Sequence, residues 1–142
     1  MKKTLAYFLY TMLVACIVCA CNDRLDVNTV YAFDLQTLPV PKTVAKGDKV
    51  EIRCQLVKQG NYSGVRYFIR YFQRDGKGEL RMDDGTLLTP NDLFPIKNDV
   101  FRLYYASLST DQQTIDIYIV DNNGQVVQKS FSFTNENSSN TP

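Results

Sequence analysis

A single all-β domain, built as two antiparallel sheets packed face to face, is the fold this chain predicts. Three observations predict it. Apolar and polar residues alternate with a period of two along several short segments, spaced at roughly ten residues. Clusters of Gly, Asn, Asp and Pro separate those segments, and no amphipathic helical stripe of useful length follows the N-terminal leader. About seven strands in one domain of this size argue for an immunoglobulin-like sandwich.

The leader comes first. Met1, Lys2 and Lys3 precede an apolar run from Leu5 to Ala20, and Cys21 follows Val18-Cys19-Ala20 directly. That order reads as a lipoprotein signal peptide over 1–20 with Cys21 as the acylated first residue of the mature chain. A transmembrane helix fits less well, because the run is shorter than the ~20 residues needed to span hydrocarbon and is followed by Asn22-Asp23 instead of a basic flank. Leu13-Val14-Ala15-Cys16 is a second candidate site, but cleavage there would leave Ile17, Val18 and two more cysteines at the new terminus. Two or three acyl chains at Cys21 would hold the protein on a bilayer, each buried CH₂ contributing about 0.8 kcal/mol.

Residues 21–26 read as a polar tether and 27–134 as the sandwich. Val27–Leu35 alternates well enough for a first strand, and Leu38-Pro39-Val40-Pro41 then forms an edge or crossing segment, since neither proline has an N–H to donate. After the Ala45–Asp48 turn, Val50, Ile52, Cys54 and Leu56 alternate with Glu51, Arg53 and Gln55, the cleanest half-buried strand in the chain. Val65–Gln73 is next, with Val65, Tyr67, Ile69 and Tyr71 on its apolar face. The turn Arg74–Gly78 leads to a short strand near Glu79–Met82. Between Asp83 and Asp99 the alternation dissolves into turn chemistry. Phe101, Leu103 and Tyr105 mark another strand, Ile115, Ile117 and Ile119 the next, and Val126–Phe133 the last, joined to its predecessor by the hairpin turn Asp121-Asn122-Asn123-Gly124. Asn135–Pro142 reads as a polar, disordered tail. The chain has no Trp, and the strand that would face Cys54 offers Ile117 and Tyr118 instead of a second cysteine, so two antibody hallmarks are missing.

Composition narrows function. There is no His among the 142 residues, which removes a required part from Ser-His-Asp and Cys-His chemistry and from most catalytic zinc sites. Cys54 reads as a small core hydrophobe. The adjacent carboxylates Asp83-Asp84 sit in a Gly-containing turn and read as solvated, without the alternating ligands of a calcium loop. No catalytic, cofactor or metal site is expected. The 16 basic and 15 acidic residues give +1, and loss of Lys2 and Lys3 with the leader takes the mature chain to −1, so direct nucleic-acid binding is not expected.

One constellation points to a partner. The face of the Val65–Gln73 strand opposite its apolar side carries Arg66, Phe68, Arg70 and Phe72, with Arg74 just beyond. Beside the Ile115 strand, Tyr118 and Val120 would join the same surface. Arginine and aromatic residues are the types enriched in protein–protein hot spots, although arginine stems could also shield the rings by cation–π packing.

The stretches YAFDLQTLPVPK from Tyr31, EIRCQLV from Glu51, RYFIRYFQRDGKGELRMDDGT from Arg66, FRLYYASLSTDQQTIDIYI from Phe101 and GQVVQKSFSF from Gly124 resemble the TraQ family of conjugal transfer proteins of Bacteroidetes conjugative transposons. The likeness covers nearly all of the mature domain. It implies an exported lipoprotein with an immunoglobulin-like sandwich, serving as an envelope component of a mating apparatus, on the outer membrane, in contact with other transfer proteins and not as a DNA-processing enzyme. It carries over no catalytic residues. The alternative reading is a surface-displayed adhesive or glycan-binding module, since exposed rings stack on sugars as readily as they anchor a protein.

Overall fold

The computed structural model describes residues 1–17, 30–61 and 63–136. Cys21, the processing region at 18–20, the tether at 22–26 and the tail at 137–142 lie outside the described residues. The leader opens as helix α1 (Lys2–Ile17), uninterrupted by charge after Lys3, and no helix among the described residues is long and apolar enough to cross a membrane.

Nine strands follow among the described residues: β1 (Phe33–Thr37), β2 (Lys49–Lys58), β3 (Tyr67–Asp75), β4 (Gly78–Met82), β5 (Leu87–Leu88), β6 (Phe94–Pro95), β7 (Val100–Ser107), β8 (Gln113–Asp121) and β9 (Val126–Phe133). They form one sheet in the order β1-β2-β7-β4-β5 and a second in the order β6-β3-β8-β9, antiparallel throughout. Without the two-residue strands β5 and β6, the orders are 1-2-7-4 and 3-8-9, the arrangement of a constant-type immunoglobulin domain. The sandwich expected from alternation is therefore present.

Two details differ from the sequence reading. Of the expected first strand, 30–32 lie outside β1, which begins at Phe33, and Val27 lies outside the described residues; the stretch from Asp83 to Asp99, expected to be irregular, contributes β5 against β4 and β6 against β3. A two-residue strand has no period to detect, which is why alternation misses it. The prolines behave as expected. After Thr37 the chain leaves β2, passes Pro39 and Pro41, and pairs Thr43 in parallel with Thr134 past the end of β9, with Thr134 N–H donating to Lys42 O at 2.9 Å and Val44 N–H to Thr134 O at 2.9 Å. Asn135 is itself buried, one residue beyond the expected end of the domain.

The core fills from both sheets. Leu35, Ile52, Leu80 and Leu103 of the first face Ile69, Ile115, Ile117, Ile119 and Phe133 of the second, all fully buried. Cys54 is buried beside Ile52 and Leu56 on the apolar side of β2, and burial pushes its thiol up to about 12, so no thiolate forms at neutral pH.

One polar group crosses this core. The Tyr105 hydroxyl, from β7, donates to Gln113 Oε1 of β8 at 2.6 Å and accepts from Gln73 Nε2 of β3 at 2.9 Å, while its ring stacks on Phe133 at 5.6 Å. Gln113 Nε2 in turn donates to Asp111 O at 2.8 Å and Ser109 Oγ at 2.9 Å. Burial pushes the Tyr105 hydroxyl above its ordinary value, outweighing the opposing effect of the Gln73 contact, so it remains a donor. Room for this cluster depends on the turn between β3 and β4. A Cβ on Gly76, which sits at φ +77°, would collide with the Gln113 side chain, and one on Gly78 would collide with the Tyr105 ring and hydroxyl.

Gly78→Ala should therefore destabilise the fold by ~1–3 kcal/mol, the usual cost of overpacking a well-filled core. A melting temperature lower by several degrees in circular dichroism is the expected reading; an unchanged one would mean that Tyr105 is not held in place.

Candidate docking face

The outward face of the second sheet brings the predicted residues together. β3 pairs with β8 so that Phe68 lies opposite Val120, Arg70 opposite Tyr118 and Phe72 opposite Asp116, and cross-strand partners in such a pair point to the same side. β9 extends each row, placing Val126 beside Val120, Gln128 beside Tyr118 and Ser130 beside Asp116. β6 adds Pro95 next to Phe68. The result is an apolar row of Pro95, Phe68, Val120 and Val126, followed by a row that centres on Arg70 and Tyr118.

The rings are less open than alternation alone predicts. Phe72 is 36% exposed and Val126 53%, but Phe68 and Tyr118 are half-buried. Packing within the face is the reason. Phe72 meets Tyr118 edge to face at 5.7 Å, and the Arg70 guanidinium lies over both rings, 5.7 Å from Phe72 and 5.3 Å from Tyr118. The T-shaped pair contributes about 0.5–1.5 kcal/mol and each exposed cation–π contact about 0.5–1 kcal/mol, so the three side chains form a preassembled unit instead of loose surface groups.

Arg70 is the unusual member. Its Nε is buried and makes no hydrogen bond, and no carboxylate among the described residues pairs with it. A buried donor left unsatisfied costs about 1–3 kcal/mol. Arg66 is exposed at the end of the same face, its backbone N–H donating to Asn122 Oδ1 at 3.0 Å, and it too lacks an ion pair among the described residues.

Arg74 differs. Its Nη2 and Nε donate to Asp116 Oδ2 at 2.5 and 3.0 Å, and Ser130 Oγ donates to Asp116 Oδ1 at 2.5 Å. Burial pushes the Asp116 carboxyl up, but the Ser130 hydroxyl and the Arg74 guanidinium outweigh it and hold the group below the ordinary carboxylate value. Sequence reading passed over Asp116, whose role depends on a register between strands that alternation cannot supply.

The remaining candidates are accounted for locally. Asp83 and Asp84 are exposed, Asp84 Oδ1 accepts from Thr86 N–H at 2.9 Å, and the Thr86 side chain together with that N–H lowers the Asp84 carboxyl. No group of metal-ligating side chains occurs among the described residues. A cleft of about 300 Å³ opens beside Phe68, with Pro95, Arg66 and Lys97 in its lining.

Comparison with known proteins places this geometry among relatives. The model of the TraQ conjugal transfer protein family matches residues 4–136. A lipoprotein from Bacteroides thetaiotaomicron is 53% identical, with 81% of this chain and 88% of that one covered and a TM-score of 0.69. A conjugative transposon lipoprotein from Bacteroides eggerthii is 41% identical over 73% of this chain and 98% of that one, TM-score 0.69. A conjugate transposon protein from Bacteroides vulgatus is 43% identical over 79% and 91%, TM-score 0.67. No curated protein matches the chain.

The Asp116 contacts have a pH signature. A carboxyl whose pKa falls on folding adds stability above its unfolded value and loses it as pH drops through the folded one. Asp116→Asn should thus cost about 1–2 kcal/mol near neutrality, the low end for a hydrogen bond to a charged group because Arg74 is half exposed. The gap between variant and wild-type melting temperatures should be constant above about pH 5 and close below about pH 4. A gap that persists in acid would assign the loss to packing instead.

Proposed function

The chain belongs to the TraQ conjugal transfer protein family, and from that premise we propose that it is a non-enzymatic envelope lipoprotein that serves DNA transfer by docking another transfer protein on the outward face of β3, β8 and β9. The observation that carries the reading is the preassembled unit of Arg70, Phe72 and Tyr118 beside an apolar row. Arginine and aromatic anchors of this kind dominate interface energetics, and contiguous rings at a surface favour a partner over open water.

Support for an acyl anchor comes from the leader and from two of the relatives, which are described as lipoproteins. Cys21 is then the modified residue and the outer membrane the expected site. Absence of catalysis is the economical reading of a chain without His, whose Cys54 thiol is buried with a pKa near 12 and whose buried carboxylates Asp116 and Asp121 are committed, the first to Arg74 and Ser130 and the second to Asn123 and Gln125 of the β8–β9 turn.

Two experiments test this. Cys21→Ser should abolish incorporation of labelled palmitate and release the protein from the membrane fraction or leave it unprocessed; continued labelling, lost instead in Cys16→Ser, would move the site. Phe68→Ala combined with Phe72→Ala, in the full-length protein, should cost ~2 kcal/mol or more of docking energy, about thirtyfold in affinity, and lower conjugation frequency, while protein level holds and the lost ring contacts lower the melting temperature by only a few degrees. Phe72→Ala alone, at the most exposed ring, keeps the test readable if the double variant loses stability. Normal transfer by both would remove this face from the mechanism, and recovery of recipient surface glycans in place of transfer proteins would favour an adhesin.

A further inference from the structure

We propose that Arg70 is a receptor for a carboxylate, supplied by an acidic, apolar-flanked segment of another protein of the transfer apparatus; this rests on the docking reading above and specifies the partner's chemistry. Among the described arginines, Arg53, Arg74, Arg81 and Arg102 each have a carboxylate within 3.3 Å. Arg66 and Arg70 have none, and both stand on the outward side of β3.

A surface arginine without a partner is ordinary when water solvates it. Arg70 is held differently. Two aromatic rings fix its guanidinium at 5.3 and 5.7 Å, its Nε is buried, and no oxygen among the described residues accepts a hydrogen bond from it. The side chain is thus ordered in advance, with a full positive charge and a planar edge of donors unused. Planar donors of this kind match a carboxylate in bidentate fashion, with the ordering cost already met within the fold.

No acid among the described residues supplies that carboxylate from the same surface. Among the described residues, Asp116 on the outward side of β3, β8 and β9 has both oxygens engaged by Arg74 and Ser130, and Asp75, which the bulge after Gln73 sets opposite Thr114 at the far end of β3, makes no ion pair with Arg70. Charge complementarity therefore calls for an acid from outside. The surroundings say what accompanies it. Pro95, Phe68, Val120 and Val126 form an apolar row about one strand repeat from Arg70, so the acid should sit next to apolar side chains. A mature charge of −1 and an acid within the face itself disfavour a polyanionic surface such as nucleic acid or lipid.

The test uses the full-length protein in mating cells. Arg70→Met, which keeps the apolar stem and removes the charge, should lower transfer at least tenfold with protein level and melting temperature unchanged. Arg70→Lys places an amine where the guanidinium lies, and a zero-length carbodiimide should condense it with the partner's carboxylate. Mass spectrometry should then find position 70 linked to an Asp or Glu of another transfer protein, with no such link in wild type. If Arg70→Lys itself loses transfer, Arg70→Glu should instead be rescued by an acid-to-Arg change in another transfer protein. A link to Asp116 or to a second copy of this chain overturns the proposal, as does loss of transfer in Arg70→Met with neither link nor suppressor, which would indicate a phosphate-bearing ligand. Wild-type transfer by Arg70→Met, with loss in the Phe68 and Phe72 variants, overturns the carboxylate and keeps the docking face; wild-type transfer by all of them overturns the face.

Discussion

The hydrogen bond from Tyr105 to Gln113 is the contact on which the geometry of the rest depends. Two sheets packed on aliphatic side chains alone are free to slide by small amounts, because dispersion is nearly indifferent to direction. A polar group in the same space is not indifferent, since leaving it unsatisfied costs about as much as several methylenes gain. Tyr105 reaches from β7 to Gln113 on β8 and Gln73 on β3, so β7 is bolted to both central strands of the other sheet. In antibody domains a disulfide and a Trp occupy the sheet-to-sheet space; here a hydrogen-bonded tyrosine does so, and Gly76 and Gly78 are small because it is there. Holding Gln73 inward also fixes the register of β3. With alternate residues on opposite faces, Arg70 and Phe72 are thereby set outward.

That dependence explains which parts of the molecule were legible in the sequence. Alternation in Val50–Leu56, Val65–Gln73 and Ile115–Ile119 was enough to read the long strands and their faces, because burial on one side selects residues with period two. Gln113 was not legible. It stands in the polar run STDQQTID, and only the approach of Tyr105 from a different sheet makes it a core residue. The same holds for the face. Its residue types could be read from β3 alone, but the pairing of Arg74 with Asp116, 42 positions away, and the capture of Arg70 between two rings follow from strand register. Sequence reading therefore placed these side chains on one face and overestimated how far they stand open to solvent.

The two outward faces of the sandwich also differ in a way composition does not reveal. On the first sheet Glu51 lies 3.1 Å from Arg53 and 3.3 Å from Arg102, and Glu79 lies 3.3 Å from Arg81. These pairs are solvated and contribute little to stability, but they give each arginine of that face a carboxylate. The second sheet keeps Arg66 and Arg70 unanswered among the described residues and gathers the aromatic rings. A partner attracted by charge and apolar area would meet the second face with a gain and the first with only the loss of hydration.

A sheet can recruit a partner by its face or by its edge, and the edges here offer little. β5 and β6 end their sheets with two residues each, and β6 carries Pro95, which has no N–H to donate. β1 stops at Thr37, and Pro39 and Pro41 follow within four residues. β9 is the long edge strand. The parallel bridge between Thr43 and Thr134 closes off its C-terminal end, and Lys129, in the inward register between Val127 and Phe131, would have to be drawn into an extended core if a foreign strand paired alongside. Short, proline-marked and charged edges resist strand addition, whereas the face beside them holds an ordered cation with no counterion among the described residues. Recognition through side chains on the face, with the backbone of the partner free to take any conformation, is the mode this distribution of donors and charges fits.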